Sequence, residues 1–329
     1  MFVHRAVAGL LAAGAMLLAA ACGSSGSGGT GAAGDTAAPT GTAGDSAATR
    51  VVQAANGPVT VPARPQRVVS LLNTTAAVLE LGITPVGVLQ EVEADYAPAD
   101  WAKVKAIPVV GADETSINYE RLAQLQPDLI ISTQRRAEDF GYDKLSAIAP
   151  TAFFVTENPA EVRDALPKIA DTVGKADVSA QKAAAYTKLV ADIKDRHAEV
   201  LRKTTWDYVE GGPEGFVANS PVSWPGLFME QAGLTFSKVA TKERANRGVR
   251  LSYEQISTLS GTGAILYGAT PDGQAEAATR KLLDQNAFKL LPAAKAGHVY
   301  PIKYGYQYSY TGVTEILNQI DAVLSKLAA

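Results

Sequence analysis

The chain reads as an α/β protein of two lobes with mainly parallel sheets, bridged by helix. Three observations carry this reading. From about residue 56, short β-branched runs alternate with amphipathic helical patterns, as they do when helices cover a parallel sheet. From Ala160 the alternation stops for two helical stripes, and from Gly215 it restarts. The result is two Rossmann-like lobes with a helical segment between them.

In the first lobe, Arg67–Leu72 reads as a buried strand, Asn73 or Thr74 as a helix cap, and Gly82 as that helix's stop before a second strand at Pro85–Val88. Ile107–Val110 makes a third strand. Asn118–Leu125 forms a capped helix ended by Pro127, and Asp128–Ser132 is a strand running into Thr133–Arg136. A helix (Asp139–Ile148) and a strand (Thr151–Val155) complete the lobe. The stripe Val162, Ala165, Leu166, Ile169, Val173, with Gly174 as its stop, predicts the joining helix, and a longer helix follows over Ser179–Leu201. A helix of about 15 residues is a rod of roughly 22 Å, stiffer than extended linkers, so lobe motion should be small. The second lobe takes Gly215–Ala218, a helix near Leu227–Ala232, Ser252–Leu259, Ala264–Tyr267, His298–Ile302 and a closing helix over Gly312–Leu327. The expected boundaries are 51–157 for the first lobe, 158–177 for the bridging helix and 178–329 for the second.

Ahead of the lobes, Arg5 precedes an unbroken apolar run, Ala6–Ala21, and then the chain's single cysteine, Cys22. These 16 residues have signal-peptide length and fall short of the roughly 20 needed to span hydrocarbon. The pattern resembles the bacterial lipoprotein box, which makes 1–21 a signal peptide and Cys22 the lipidated residue. Residues 22–50 then serve as a tether, since a Gly/Ser/Ala/Thr-rich stretch buries too little apolar surface to offset chain entropy. A GxGxxG match at Gly29, Gly31 and Gly34 follows no strand and opens no helix, so its spacing is coincidental.

Composition narrows the function. A net charge of −3 gives no electrostatic case for nucleic acid. GxSxG, P-loop and metal-ligand spacings are absent, and His197 and His298 have no histidine neighbour at ligand spacing, which argues against catalysis and against a bare-metal site.

Six phrases carry a family resemblance: Val61–Val69, Leu81–Val88, Asn118–Ile130, Leu145–Pro150, Leu251–Gln255 and Leu290–Tyr300. In order and spacing they resemble the periplasmic binding proteins that feed iron-siderophore, haem and cobalamin importers. The likeness runs from about residue 59 to the C-terminus. It implies a ligand cleft between the two lobes, an ABC transporter permease as partner, and an extracytoplasmic, lipid-anchored, monomeric protein. No cofactor is implied, because iron arrives inside a pre-formed Fe(III)-siderophore complex. Haem or cobalamin import, or a structural lipoprotein, are the alternatives.

Candidate ligand contacts follow from loops at strand ends. Arg135 and Arg136 directly follow the Asp128–Ser132 strand and could clamp carboxylate, catecholate or hydroxamate oxygens with forked donors. The alternative is a solvated pair facing Glu138 and Asp139. Trp224, in an aromatic loop between prolines, could stack on a chelate backbone or cap its own lobe's core. Trp101 is the weaker first-lobe counterpart. Of Arg244, Arg247 and Arg250, the resemblance favours Arg247. Tyr304, Tyr306, Tyr308 and Tyr310 recur at period two, which on a strand puts four phenols on one face. For permease docking, the resemblance points to Glu254 in the second lobe and to Glu138 or Asp139 in the first. Ser252 and Gln255 also form a capping box, in which Glu254 would serve the first turn. Several arginines lean towards an anionic complex, whereas aromatic richness with fewer working arginines leans towards an uncharged hydroxamate, the type favoured here.

Overall fold

The computed structural model describes residues 48–134, 141–156, 158–241, 248–303 and 308–328, so the expected signal peptide, Cys22 and nearly all of the tether lie outside the described residues. The chain opens on an antiparallel hairpin, β1 (Thr49–Ala54) and β2 (Gly57–Pro62), with Val52 opposite Val59. Sequence reading did not anticipate this hairpin, whose first strand starts inside the stretch assigned to the tether.

The first sheet contains β3 (Val68–Ser70), β4 (Gly87–Leu89), β5 (Val109–Gly111), β6 (Leu129–Gln134) and β7 (Thr151–Val155). Its order is β5-β4-β3-β6-β7 and every pairing is parallel. All of β3 is buried, as expected of a strand covered by helices on both faces. The covering helices are α1 (Thr75–Glu80), α2 (Pro98–Val104), α3 (Tyr119–Gln124) and α4 (Tyr142–Ser146). As the sequence predicts, the Asn118 side chain caps α3, accepting from the Arg121 N–H at 2.9 Å.

Three helices follow: α5 (Pro159–Thr172), α6 (Ala176–Arg196) and α7 (Ala198–Lys203). Gly174 ends α5 at φ +71, and a Cβ there would sit 2.6 Å from the Ala63 carbonyl oxygen. The single helix expected over Ser179–Leu201 is broken at His197. That buried ring places Nε2 2.7 Å from Asp321 Oδ1, while Arg196 reaches the other carboxylate oxygen at 3.1 Å. His197 is therefore a packing histidine.

The second sheet is built from β8 (Thr205–Gly211), β9 (Gly215–Asn219), β10 (Thr235–Phe236), β11 (Gly248–Ser252), β12 (Ala264–Ala269) and β13 (Val299–Lys303). Its order is β11-β9-β8-β12-β13, with β10 on the start of β8. β9 runs antiparallel to both neighbours, and the other pairings are parallel. Helices α8 (Trp224–Gln231), α9 (Ala277–Leu283), α10 (Asn286–Lys289), α11 (Pro292–Lys295) and α12 (Tyr310–Ala328) cover it, with a 3₁₀ helix at Tyr253–Gly261.

The largest hydrophobic cluster crosses from one sheet to the other. It joins Leu129 and Ile131 of β6 to Leu166 and Ile169 of α5, Ile193 of α6, Met229 of α8, Leu266 of β12 and Ile316 and Ile320 of α12. Smaller clusters lie on the outer faces, around Ile130 and Phe153 in the first sheet and around Ile265 and Leu282 in the second. The helical layer between the sheets is thus a shared interior.

Candidate functional site

In the first sheet β4 and β5 lie on one side of β3, and β6 and β7 on the other. The connections after β3 and β6 therefore leave in opposite directions and open a crevice at the carboxyl ends of these strands, where open α/β sheets bind ligands. Residues 71–74 follow β3 at this point. There Asn73 is left-handed at φ 57, and the helix cap is Thr74, whose Oγ1 lies 2.7 Å from Ser70 Oγ and donates to the Leu71 carbonyl. Arg135 and Arg136 follow β6 in sequence; with Glu138 and Asp139 they lie outside the described residues, as do Arg244, Arg247, Tyr304 and Tyr306.

On the second-lobe side, β9 runs into a tight turn at Ser220–Ser223. Ser223 Oγ donates to the Ser220 carbonyl at 2.7 Å and accepts the Gly226 N–H at 3.0 Å, which caps α8. Only glycine fits at 226, since a Cβ there would lie 1.9 Å from the Ser220 oxygen. Trp224, expected in a loop, is the first residue of α8 and half-buried. Its ring meets Tyr308 edge-on at 4.7 Å and Phe228, one helical turn on, at 6.2 Å. The structure therefore brings together two of the predicted aromatics, Trp224 and Tyr308.

The tyrosine stripe on a strand is corrected. β13 ends at Lys303, and Tyr308 sits just before Ser309, whose Oγ accepts the Gly312 N–H at 3.0 Å and starts α12. Tyr310, inside that helix, is buried against Tyr186 at 6.0 Å. A turn into helix between Tyr308 and Tyr310 sends the two rings to different partners. Trp101 belongs to α2 and packs on Tyr96 at 6.1 Å. Arg250 is an exposed residue of β11.

Glu254 is exposed in the first turn of the 3₁₀ helix, beside the expected capping box, with the Ser252 N–H donating to Gln255 Oε1 at 3.0 Å. A hydrogen bond with Ser252 holds its carboxyl below the ordinary range. Among the described residues, no group of three or more His, Cys, Asp or Glu could hold a metal ion.

Sequence reasoning missed a polar junction between the lobes. Glu80, the last residue of α1, accepts from the N–H of Tyr310 at 3.1 Å, the N–H of Thr311 at 2.9 Å and Thr311 Oγ1 at 3.0 Å. Lys182 of α6 lies 3.8 Å from the carboxylate and donates to Thr311 Oγ1 at 3.2 Å. The Glu80 side chain is 5% exposed, and burial raises its pKa against the opposing pull of those donors. A carboxylate in the last turn of a helix opposes the helix dipole, so its placement there was the available signal that it has a partner elsewhere. Beside it a cavity of about 480 Å³ opens between α1, residues 95–103 and the start of α12, with Asp95, Asp100, Lys103, Ser309 and Glu315 on its walls. Across this cavity Tyr96 donates to Glu91 Oε2 at 2.7 Å, and desolvation together with the Glu91 charge pushes Asp95 up to about 6.

Two sheets joined through a helical interior, with a crevice at the strand ends of the first and an aromatic pair on the second, define a two-lobe binding protein. Residues 68–304 match the family described as periplasmic binding protein, and the chain belongs to it. The chain is 35% identical over 196 residues to a Bacillus subtilis (strain 168) protein named probable siderophore-binding lipoprotein YfiY, a match covering 57% of this chain and 58% of that protein. It is 28% identical over 292 residues to the Fe(3+)-citrate-binding protein YfmC of the same organism, covering 84% of this chain and 86% of the relative. Among solved structures it resembles the siderophore periplasmic binding protein from the fuscachelin gene cluster of Thermobifida fusca, with a TM-score of 0.74 and 31% identity over 80% of this chain and 97% of that one.

Proposed function

We propose that this protein binds a ferric siderophore outside the cytoplasm and delivers it to the permease of an ABC importer. The family match over residues 68–304 carries the reading, and the names of the relatives support a siderophore as cargo. Trp224 and Tyr308 form an aromatic corner suited to the apolar backbone of a chelate. Arg135, Arg136 and Arg247 supply hydrogen bonds to its outer oxygens, with Tyr304, Tyr306 and Trp101 as further contacts, and a hydroxamate complex suits this mixture. The protein performs no catalysis and needs no cofactor, since the chelate brings its own iron. Cys22 carries the lipid anchor, the chain works as a monomer, and Glu254 with Glu138 or Asp139 faces the permease. Tryptophan fluorescence of the purified domain, titrated with ferric hydroxamate, catecholate and citrate complexes and with haem and cobalamin, tests the proposal. Saturable quenching by a ferric siderophore supports it; saturation by haem or cobalamin alone, or by none of them, overturns it.

A further inference from the structure

Glu80 belongs to the first lobe, yet its three acceptor contacts all go to the first turn of α12. The residue that enters that turn is Tyr308, whose ring meets Trp224 at 4.7 Å. Backbone N–H groups at a helix start have no partner within the helix. Ser309 takes the Gly312 N–H, and Glu80 takes those of Tyr310 and Thr311, so the capping of α12 is shared between its own chain segment and the opposite lobe. Hydrogen bonds to a charged acceptor are stronger and more directional than neutral ones, and two of the groups held here are backbone. The position of the polypeptide at 309–311 is therefore set by α1.

We propose that Glu80 is a positioning residue of the binding cleft, which fixes the start of α12 against the first lobe and thereby sets where Tyr308 stands against Trp224. This rests on the proposed role of that aromatic pair in ligand contact. Neighbouring contacts favour the arrangement. Lys182 of α6 compensates the buried carboxylate and also holds Thr311, while the Tyr310 ring is seated on Tyr186 of the same helix. Three elements, α1, α6 and α12, thus converge on one turn. The cavity beside Glu80 separates that turn from α2, and among the described residues the carboxylate is a charged hold of the first lobe on it, beside the apolar packing of α1.

The test compares Glu80→Ala and Glu80→Gln with the parent chain, using near-ultraviolet circular dichroism and fluorescence titration with a ferric trihydroxamate. The contribution of the Trp224–Tyr308 pair to the dichroism is isolated by difference against Trp224→Phe. Removing the carboxylate should shrink that contribution without any ligand present and weaken chelate binding by about five- to tenfold, the scale of one aromatic contact. The glutamine variant keeps one acceptor oxygen in the same volume and should fall between parent and alanine in both readouts. A lower melting temperature with dichroism and affinity both unchanged makes Glu80 a stability residue only and overturns the proposal. Should the alanine variant fail to fold, an unchanged glutamine variant overturns it as well. Because the dichroism needs no ligand, failure of every chelate to bind the parent chain would count against the proposed function and leave this positioning role to be judged on the spectrum.

Discussion

In the first sheet every pairing is parallel and the central strand β3 is buried over its whole length, whereas the second sheet reverses at β9 and carries a buried carboxylate on its own central strand. Asp207 of β8 accepts from Ser237 Oγ at 2.7 Å and from Thr262 Oγ1, tying two loops beneath the sheet. Among the described residues the first sheet thus holds no buried carboxylate, and the second holds one, a polar node. Apolar burial is indifferent to pH; a desolvated carboxylate is not. The sheets differ in this respect while sharing the helical interior that joins them.

The largest expected effects test whether that interior is common to both. Ile131→Ala on the first sheet and Leu266→Ala on the second each remove a fully buried side chain from the same cluster and should cost about 2–5 kcal/mol. Each should lower a single shared urea transition. Two separate transitions, with each substitution moving only one, would mean that the lobes fold apart.

The polar node gives the next effect. Burial raises Asp207 to about 6, so the folded chain holds this proton more tightly than the unfolded chain does. Stability from the group is present below about pH 4 and is lost as pH rises through 6, on the order of 3 kcal/mol in all. Relative to Asp207→Asn, the parent chain should lose that amount between pH 4 and 7 in urea midpoints. Parallel curves for the two chains would remove the node from the comparison.

A smaller effect is expected in the cleft. Trp224→Ala deletes the ring that meets Tyr308 and should weaken binding of a ferric siderophore by about tenfold, beside some loss of stability from its packing against the shared interior. Isothermal titration beside thermal melting separates the two. Glu254→Lys, at an exposed position, should lower uptake in cells and leave ligand affinity unchanged. Equal loss of both would refute a docking role.

How much of this was legible in the sequence followed the same division. Thr151–Val155, the Asn118 cap and the Gly174 stop were readable because each rests on local chemistry: a β-branched and aromatic run, an oxygen before a helix, a glycine at positive φ. β8 was missed. Its Asp207 and Glu210 interrupt the apolar run, and only the distant Ser237 and Thr262 make the buried carboxylate tolerable. The break at His197 depends likewise on Asp321, 124 residues away. At the site, the sequence identified Trp224 and Tyr308 as candidates but placed them wrongly, on a loop and on a strand. Period two fits a strand, and it outweighed the local signal that Ser309 offers, an oxygen ahead of a helix. Glu80 offered only its unfavourable place at a helix C-terminus as a signal, since its partners lie about 230 residues on.

The account's central claim is that a pre-formed iron chelate seats against the Trp224–Tyr308 corner. A crystal structure of the domain soaked with a ferric siderophore tests it most directly. The account predicts the chelate in van der Waals contact with both rings, facing the 71–74 turn of the first lobe. A chelate seated instead in the acidic cavity between α1 and α12, with Trp224 and Tyr308 untouched, would contradict it.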